Sequence, residues 1–229
     1  MKIVYLILVL PAFLFLNACE STMDNNPPPD PIDTTSVTDI DGNVYQTIII
    51  GSQCWMVENL KVTRYRNGDP IPNITNNSTW MGLLTGAYCN YNNDTSNTNT
   101  YGMLYNWHAA ADSRNIAPLG WHVPNDSDLT ILENYLGGSL VAAGKMKVTS
   151  FNVPVWDGNN SSGFKLLPTG YRECADGSFG YIGSCTMLWS TTEFNSDDAW
   201  ERDIYSGTDE SYRNSIDKNM GFSIRCVKD

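Results

Sequence analysis

Basic residues are scarce in this chain: 14 Lys and Arg stand against 25 Asp and Glu, for a formal net charge of -11. Without a basic patch there is nothing to release counterions from a phosphate backbone, which argues against nucleic acid and bare anionic lipid as partners. Acidity by itself does not indicate calcium, since a solvated acidic surface looks the same. Histidine is scarcer still: His108 and His122 are the only two, both within LYNWHAAADSRNIAPLGWHVP (104–124). No CxxC pair and no Cys/His cluster at zinc spacing occurs. Ser113 and Ser127 lie near the histidines in sequence, but neither has the setting of a nucleophile elbow. Charged residues make up only 17 %, while Asn, Ser, Thr, Gly, Tyr and Trp are plentiful, a balance that suits many short strands and ordered loops more than long amphipathic helices. No repeat at solenoid spacing is present.

One long apolar run exists, from Ile3 to Leu16, interrupted by Pro11 and preceded by Lys2. It is too short and too weakly flanked for a spanning helix and reads as a secretory signal, residues 1–18. Leu16-Asn17-Ala18-Cys19 resembles a bacterial lipobox, which implies that Cys19 is lipidated and becomes the mature N-terminus. Residues 19–38 carry four prolines between Pro27 and Pro31 and few apolar side chains. They cannot bury a core and are expected to form a solvated tether. Residues 39–229 then form one domain, large enough for a core given 41 % hydrophobic residues.

Export permits disulfides. With Cys19 lipidated, Cys54, Cys89, Cys174, Cys185 and Cys226 remain, an odd number that allows at most two bridges. Cys174 and Cys185 flank a segment with an Asp176-Gly177 turn signal, and their pairing across a hairpin is the first expectation. Cys54 is then left to pair with Cys89 or Cys226, and sequence does not choose between them.

Along the domain, two β-rich runs flank Gly51-Ser52-Gln53 as a hairpin. Residues 67–100 read as a long ordered loop anchored by Trp80 and Tyr88. From Gly102 to Asp112 the spacing of Leu104, Trp107, His108 and Ala111 predicts one helix. A second helix follows Pro124, capped by Asn125 with Asp128, striped by Leu129, Leu132, Tyr135 and Leu136, and stopped by Gly137. Beyond Gly144 the pattern is strand and loop. In the last strand Phe222, Ile224 and Cys226 share one face, with Ser223, Arg225 and Val227 on the other.

The segments QCWMVENL, YGMLYNWHAA, APLGWHVPNDSDLTILENYLGG, SGFKLLPTGYRE, LWSTTE and GFSIRCVKD occur in that order. Together they resemble the Fibrobacter succinogenes major paralogous domain, found in exported proteins and lipoproteins of Fibrobacter and Bacteroidetes. The resemblance covers about residues 39–229 and brings no catalytic residue or substrate with it. That family in turn is distantly similar to C-type-lectin-like domains of the formylglycine-generating-enzyme type. The implied fold class is α+β, with two short helices packed on loop-rich, mostly antiparallel sheets.

Both histidines are read as scaffold, because a metal needs more ligands and a catalytic pair needs a positioned nucleophile. Calcium is possible but has no motif. Its candidate oxygens, Asn92, Asn93 and Asp94 or Asn195, Asp197 and Asp198, read equally as polar turns, and no cofactor or metal residue is expected. Trp189, Trp200, Tyr205 and Tyr212 are the candidate ligand contacts, weighed against a role in the core. The expectation is a non-enzymatic binding or adhesion lipoprotein of the outer membrane, held by its lipid and open to a glycan or an envelope protein. The alternatives are an exported enzyme with a cysteine-centred site and a purely structural envelope protein.

Overall fold

The computed structural model describes residues 35–229 except Val153. The expected signal, Cys19 and most of the tether lie outside these residues. Among the described residues no helix is long and apolar enough to cross a membrane.

In chain order the elements are β1 (Ser36–Thr38), β2 (Val44–Ile50), β3 (Gln53–Met56), α1 (Asn77–Met81), β4 (Tyr88–Cys89), α2 (Thr98–Tyr101) and β5 (Leu104–Tyr105). There follow α3 (Trp107–Ala110), β6 (Trp121–His122), α4 (Asp126–Tyr135), α5 (Ser139–Met146), β7 (Thr169–Arg172), β8 (Phe179–Ile182), β9 (Cys185–Glu193), β10 (Asp198–Tyr205), β11 (Ser211–Asp217) and β12 (Val227–Lys228). The strands form two five-stranded sheets, β1-β2-β3-β12-β6 and β11-β10-β9-β7-β8, plus the small pair β4-β5. The class is α+β.

The first hairpin forms as expected, with Thr47 opposite Met56 and Ile50 opposite Gln53 across a left-handed Gly51. Ser36–Thr38 pair with Val44–Gln46, so the folded part begins inside the segment assigned to the tether. The Asn125 side chain accepts from the Asp128 backbone while Asp128 Oδ2 accepts from Asn125 N, a reciprocal cap that stabilises the start of α4 by about 1 kcal/mol. Of the predicted stripe, Leu129, Leu132 and Leu136 are buried, but Tyr135 lies outside it and is exposed.

The single helix expected over 102–112 is not formed. Leu104–Tyr105 extend as β5, and only Trp107–Ala110 turn helically. Asn106 makes the break: its carboxamide oxygen accepts from Ala109 N and Ala87 N, capping α3 while tying β5 to the loop before it. The GSLVAAGKM stretch adds the helix α5, which the two-helix reading omits. Within 67–100, Trp80 and Tyr88 are buried anchors, and the segment carries α1, β4 and α2.

The terminal segment joins the two sheets. Gly221 bridges Arg172 and Ser223 bridges Leu188 in the second sheet, while Val227 pairs with Trp55 and His122 in the first. Phe222, Ile224 and Cys226 are buried, but so are Ser223, Arg225 and Val227, because this segment has a neighbour on each side. Arg225 is satisfied there by Asn59 Oδ1 at 3.1 Å and by the carbonyls of Phe164 and Lys165. One core surrounds Tyr45, Tyr105, Trp189 and Phe222. A second packs α4 and α5 on Trp55, Phe164, Leu188 and Ile204.

Candidate functional site

Strand side chains alternate between faces, so β10 divides cleanly. Arg202 and Ile204 point toward α4, while Glu201, Asp203 and Tyr205 share the opposite face. On the α4 side Arg202 is buried, donating from Nε to Glu133 Oε1 at 2.8 Å and from Nη1 to Asp126 Oδ1 at 2.8 Å. Arg213 also binds Asp126, at 2.9 Å, and lays its guanidinium 3.3 Å from the Trp200 ring centroid. The charges on this side are therefore matched within the protein.

The opposite face is different. Register places Met187 and Tyr212 on either side of Asp203, and Cys185 beside Tyr205. The Tyr205 and Tyr212 rings meet edge to face, with centroids 6.1 Å apart. On the far side Tyr171 of β7 stacks on Tyr181 of β8 at 5.6 Å and 18°. Tyr181 holds φ at 63°, a left-handed conformation that costs a bulky side chain about 1–3 kcal/mol. Opposite it Gly170, itself left-handed, lets β8 approach closely, since a Cβ there would collide with the Gly180 carbonyl and the Ile182 nitrogen. Tyr181 is 63 % exposed and Tyr205 37 %, so the aromatic face is open to solvent.

Two carboxyl groups lie among these rings. Asp203 is half-buried and accepts from Asn214 Nδ2 at 2.7 Å. Burial raises its pKa, while interactions with Asn214, Glu201 and Tyr205 pull it down. Glu201 is only 1 % exposed, and neither carboxyl oxygen has a well-formed hydrogen-bond partner. Burial, and then the charge of Asp203, push its pKa well above the usual carboxylate range. Burial pushes the Tyr171 phenol up to about 12, and burial with Asp203 raises that of Tyr205. Both phenols stay neutral donors. None of the ion pairs found among the described residues includes Glu201 or Asp203. The arrangement offers flat π faces around a half-buried acceptor.

The aromatic residues singled out by sequence thus separate. Tyr205 and Tyr212 share the open face. Trp200 lies across the sheet from it, under Arg213 and against Phe194 at 4.9 Å. Trp189 is 0 % exposed, donates from Nε1 to the Tyr105 carbonyl at 2.9 Å and packs 4.5 Å from Phe222, so it belongs to the core. Tyr171, Tyr181, Glu201 and Asp203 were not anticipated. The period-two alternation of Glu201, Asp203 and Tyr205 was the available signal.

The two histidines make different contacts. His122 places Nδ1 2.7 Å from Asp229 Oδ1 and Nε2 3.1 Å from Asp128 Oδ2, so both ring nitrogens are engaged. It ties the chain terminus to the capping box of α4. His108 is half-buried against Trp107, and burial and then Lys218 lower its pKa. The two polar clusters are turns. Asn92 and Asn93 are left-handed, and Asp94 accepts from Ser96 N at 2.9 Å. Asn195 Oδ1 accepts from the backbone of Asp197 at 2.7 Å and Asp198 at 2.8 Å.

Cys174 does not meet Cys185. Asp176-Gly177 does turn the chain, but the hairpin it makes pairs Arg172 with Phe179 and Thr169 with Ile182. Cys174 therefore sits at the turn, whereas Cys185 starts β9, level with the opposite end of β7 where Gly170 meets Thr186. A rise of about 3.3 Å per residue puts the pair well beyond disulfide reach. Cys174 Sγ lies 3.5 Å from Glu173 Oε1, and Cys185 Sγ lies 3.9 Å from Met187 Sδ. Cys89 is buried in a separate cluster with Trp80 and Tyr91, away from the core of Cys226, and no disulfide joins it to another described cysteine. Burial pushes the Cys89, Cys174 and Cys185 thiols up to about 12, and Cys226 is raised by the same cause.

A family model described as the Fibrobacter succinogenes major domain matches residues 48–228. No curated protein and no solved structure matches the chain.

Proposed function

The chain belongs to the Fibrobacter succinogenes major domain family, and from that premise we propose that it is a non-enzymatic binding module of the cell envelope. Its ligand is a glycan or a segment of another envelope protein, taken on the tyrosine face of the second sheet. The observation that carries this reading is the open grouping of Tyr171, Tyr181, Tyr205 and Tyr212 around Asp203. Large amphipathic rings with two χ angles offer contact area at low entropic cost, and their hydroxyls orient a polar ligand. A strained Tyr181 at the rim supports the same view, because strain persists where a side chain must be presented.

The cysteine-centred enzyme is the weaker reading. A thiolate is the reactive species, and burial disfavours it at Cys89, Cys185 and Cys226. The histidine whose contacts are most fully defined has both nitrogens bound to carboxylates. A C-type-lectin-like arrangement, with an aromatic face carried on paired sheets, is the finer fold reading we favour. Export, lipidation at Cys19 and an outer-membrane position complete the proposal, on the strength of the leader sequence alone.

The test is a glycan array probed with the full chain, with calcium and with chelator, alongside Tyr205→Ala and Tyr212→Ala. Binding that both variants abolish supports the face. Binding indifferent to both variants, or no binding to any glycan or purified envelope protein, removes it and leaves a purely structural role. Metabolic labelling with a fatty acid tests the anchor, and an unlabelled protein refutes it.

A further inference from the structure

The tyrosine face has an unmatched charge. Elsewhere in the second sheet and around it, cations meet acids: Arg202 and Arg213 meet Asp126, Lys218 meets Glu193 at 2.6 Å, and Lys147 meets Asp157 at 2.6 Å. Asp203 has Asn214 instead of a cation, and Glu201 behind it is buried with both oxygens lacking a well-formed partner. Asp203 also interacts with the Glu201 and Tyr205 side chains, but no cation pairs with it among the described residues, so a half-buried carboxylate is left without the counter-charge that its neighbours in the sheet have. The surroundings select its kind. Ring faces carry negative potential, and the stacked and edge-to-face tyrosine pairs set that potential around a carboxylate. The phenols of Tyr171 and Tyr205, held neutral by burial, add no competing charge. A hard divalent ion would want several oxygens, and among the described residues no group of three His, Cys, Asp or Glu side chains could hold one.

Building on the binding-module reading, we propose that this face recognises a protonated alkylamine, seated against Asp203 and enclosed by Tyr171, Tyr181, Tyr205 and Tyr212. The ammonium supplies the counter-charge that Asp203 lacks, and its alkyl stem lies on the rings. An amino sugar and a lysine side chain carry the same group.

The experiment titrates the full chain, labelled in its tyrosine rings, with butylammonium and with butanol as the uncharged control. Saturable ring shifts at Tyr171, Tyr181, Tyr205 and Tyr212 with the amine and none with butanol are expected. Asp203→Asn should abolish them. Tyr181→Ala, a change at an exposed position that should leave the fold intact, should weaken binding by roughly 2- to 30-fold, the span of one cation–π contact. Glucosamine oligomers and a lysine peptide, each with its N-acetylated form, separate the two sources, and acetylation should erase binding in either. Equal shifts with butanol, no shift with butylammonium, or calcium saturating Asp203 in its place would overturn the proposal. A neutral oligosaccharide that moves the same rings while butylammonium does not would sink the amine and keep the binding module. Silence of these rings to every probe would sink both.

Discussion

Trp189 decides which aromatic residues are available for recognition and which hold the fold. It is 0 % exposed, packs 4.5 Å from Phe222 and donates its indole N–H to the Tyr105 carbonyl at 2.9 Å. Trp189→Ala removes the largest side chain at the centre of the main core, and such truncations cost about 3–5 kcal/mol. The lost hydrogen bond adds little, because the Tyr105 carbonyl still accepts from Phe222 N at 2.9 Å. A domain of this size has about 5–15 kcal/mol to lose, so the variant should unfold at a far lower urea concentration. Trp189→Phe keeps a ring against Phe222 and should lose only about 1–2 kcal/mol. Tyr205→Ala, at a 37 % exposed ring, should cost about 1 kcal/mol or less. The assay is equilibrium urea unfolding followed by circular dichroism. Were Trp189→Ala to sit within about 1 kcal/mol of the parent, or Tyr205→Ala to match its loss, the division into core and open face would be wrong.

Burial keeps the Glu201 proton in the folded chain, whereas the unfolded chain releases it in the ordinary carboxylate range. Stability should therefore fall as pH rises above that range, by up to about 1.4 kcal/mol per pH unit for one proton. Asp203 acts in the same sense. Asp126 and Asp157, with lowered pKa values, act oppositely but only at acid pH. Glu201→Gln should flatten the slope measured between about pH 5 and 7, and an unchanged slope refutes the assignment. Arg202→Met leaves Glu133 and part of Asp126 unmatched under α4 and should cost about 3–5 kcal/mol in urea, recovered in part by Glu133→Gln; a loss below about 1 kcal/mol would show that the pair contributes little. Iodoacetamide at neutral pH should spare Cys89, Cys185 and Cys226 in the native chain and label them once urea is added. A peptide crosslinked through Cys174 and Cys185 in mass spectra would contradict the strand register.

What could be read from sequence was local, and what could not was a matter of neighbours. The hairpin at Gly51 and the cap at Asn125 are set by residues within a turn of one another, and both form as expected. The helix over 102–112 fails because Asn106 bonds to Ala87, a partner that helical spacing cannot reveal. The Cys174–Cys185 pairing fails for a related reason. The turn was legible, but the register that carries Cys185 beyond the hairpin is set by the parallel contact of β7 with β9. The tyrosine face follows the same division. Alternation along β10 already groups Glu201, Asp203 and Tyr205. Only the sheet order β11-β10-β9-β7-β8 brings Tyr212 to one side of them and Tyr171 with Tyr181 to the other. Trp189 and Trp200 were read together because they are close in sequence and chemically alike. The pleat and the cover of each face separate them: one ring enters the core that Phe222 fills, the other lies under Arg213. In this fold a residue's chemistry is written in the chain, but whether that chemistry is spent inside the protein or left for a ligand depends on which strand lies beside it.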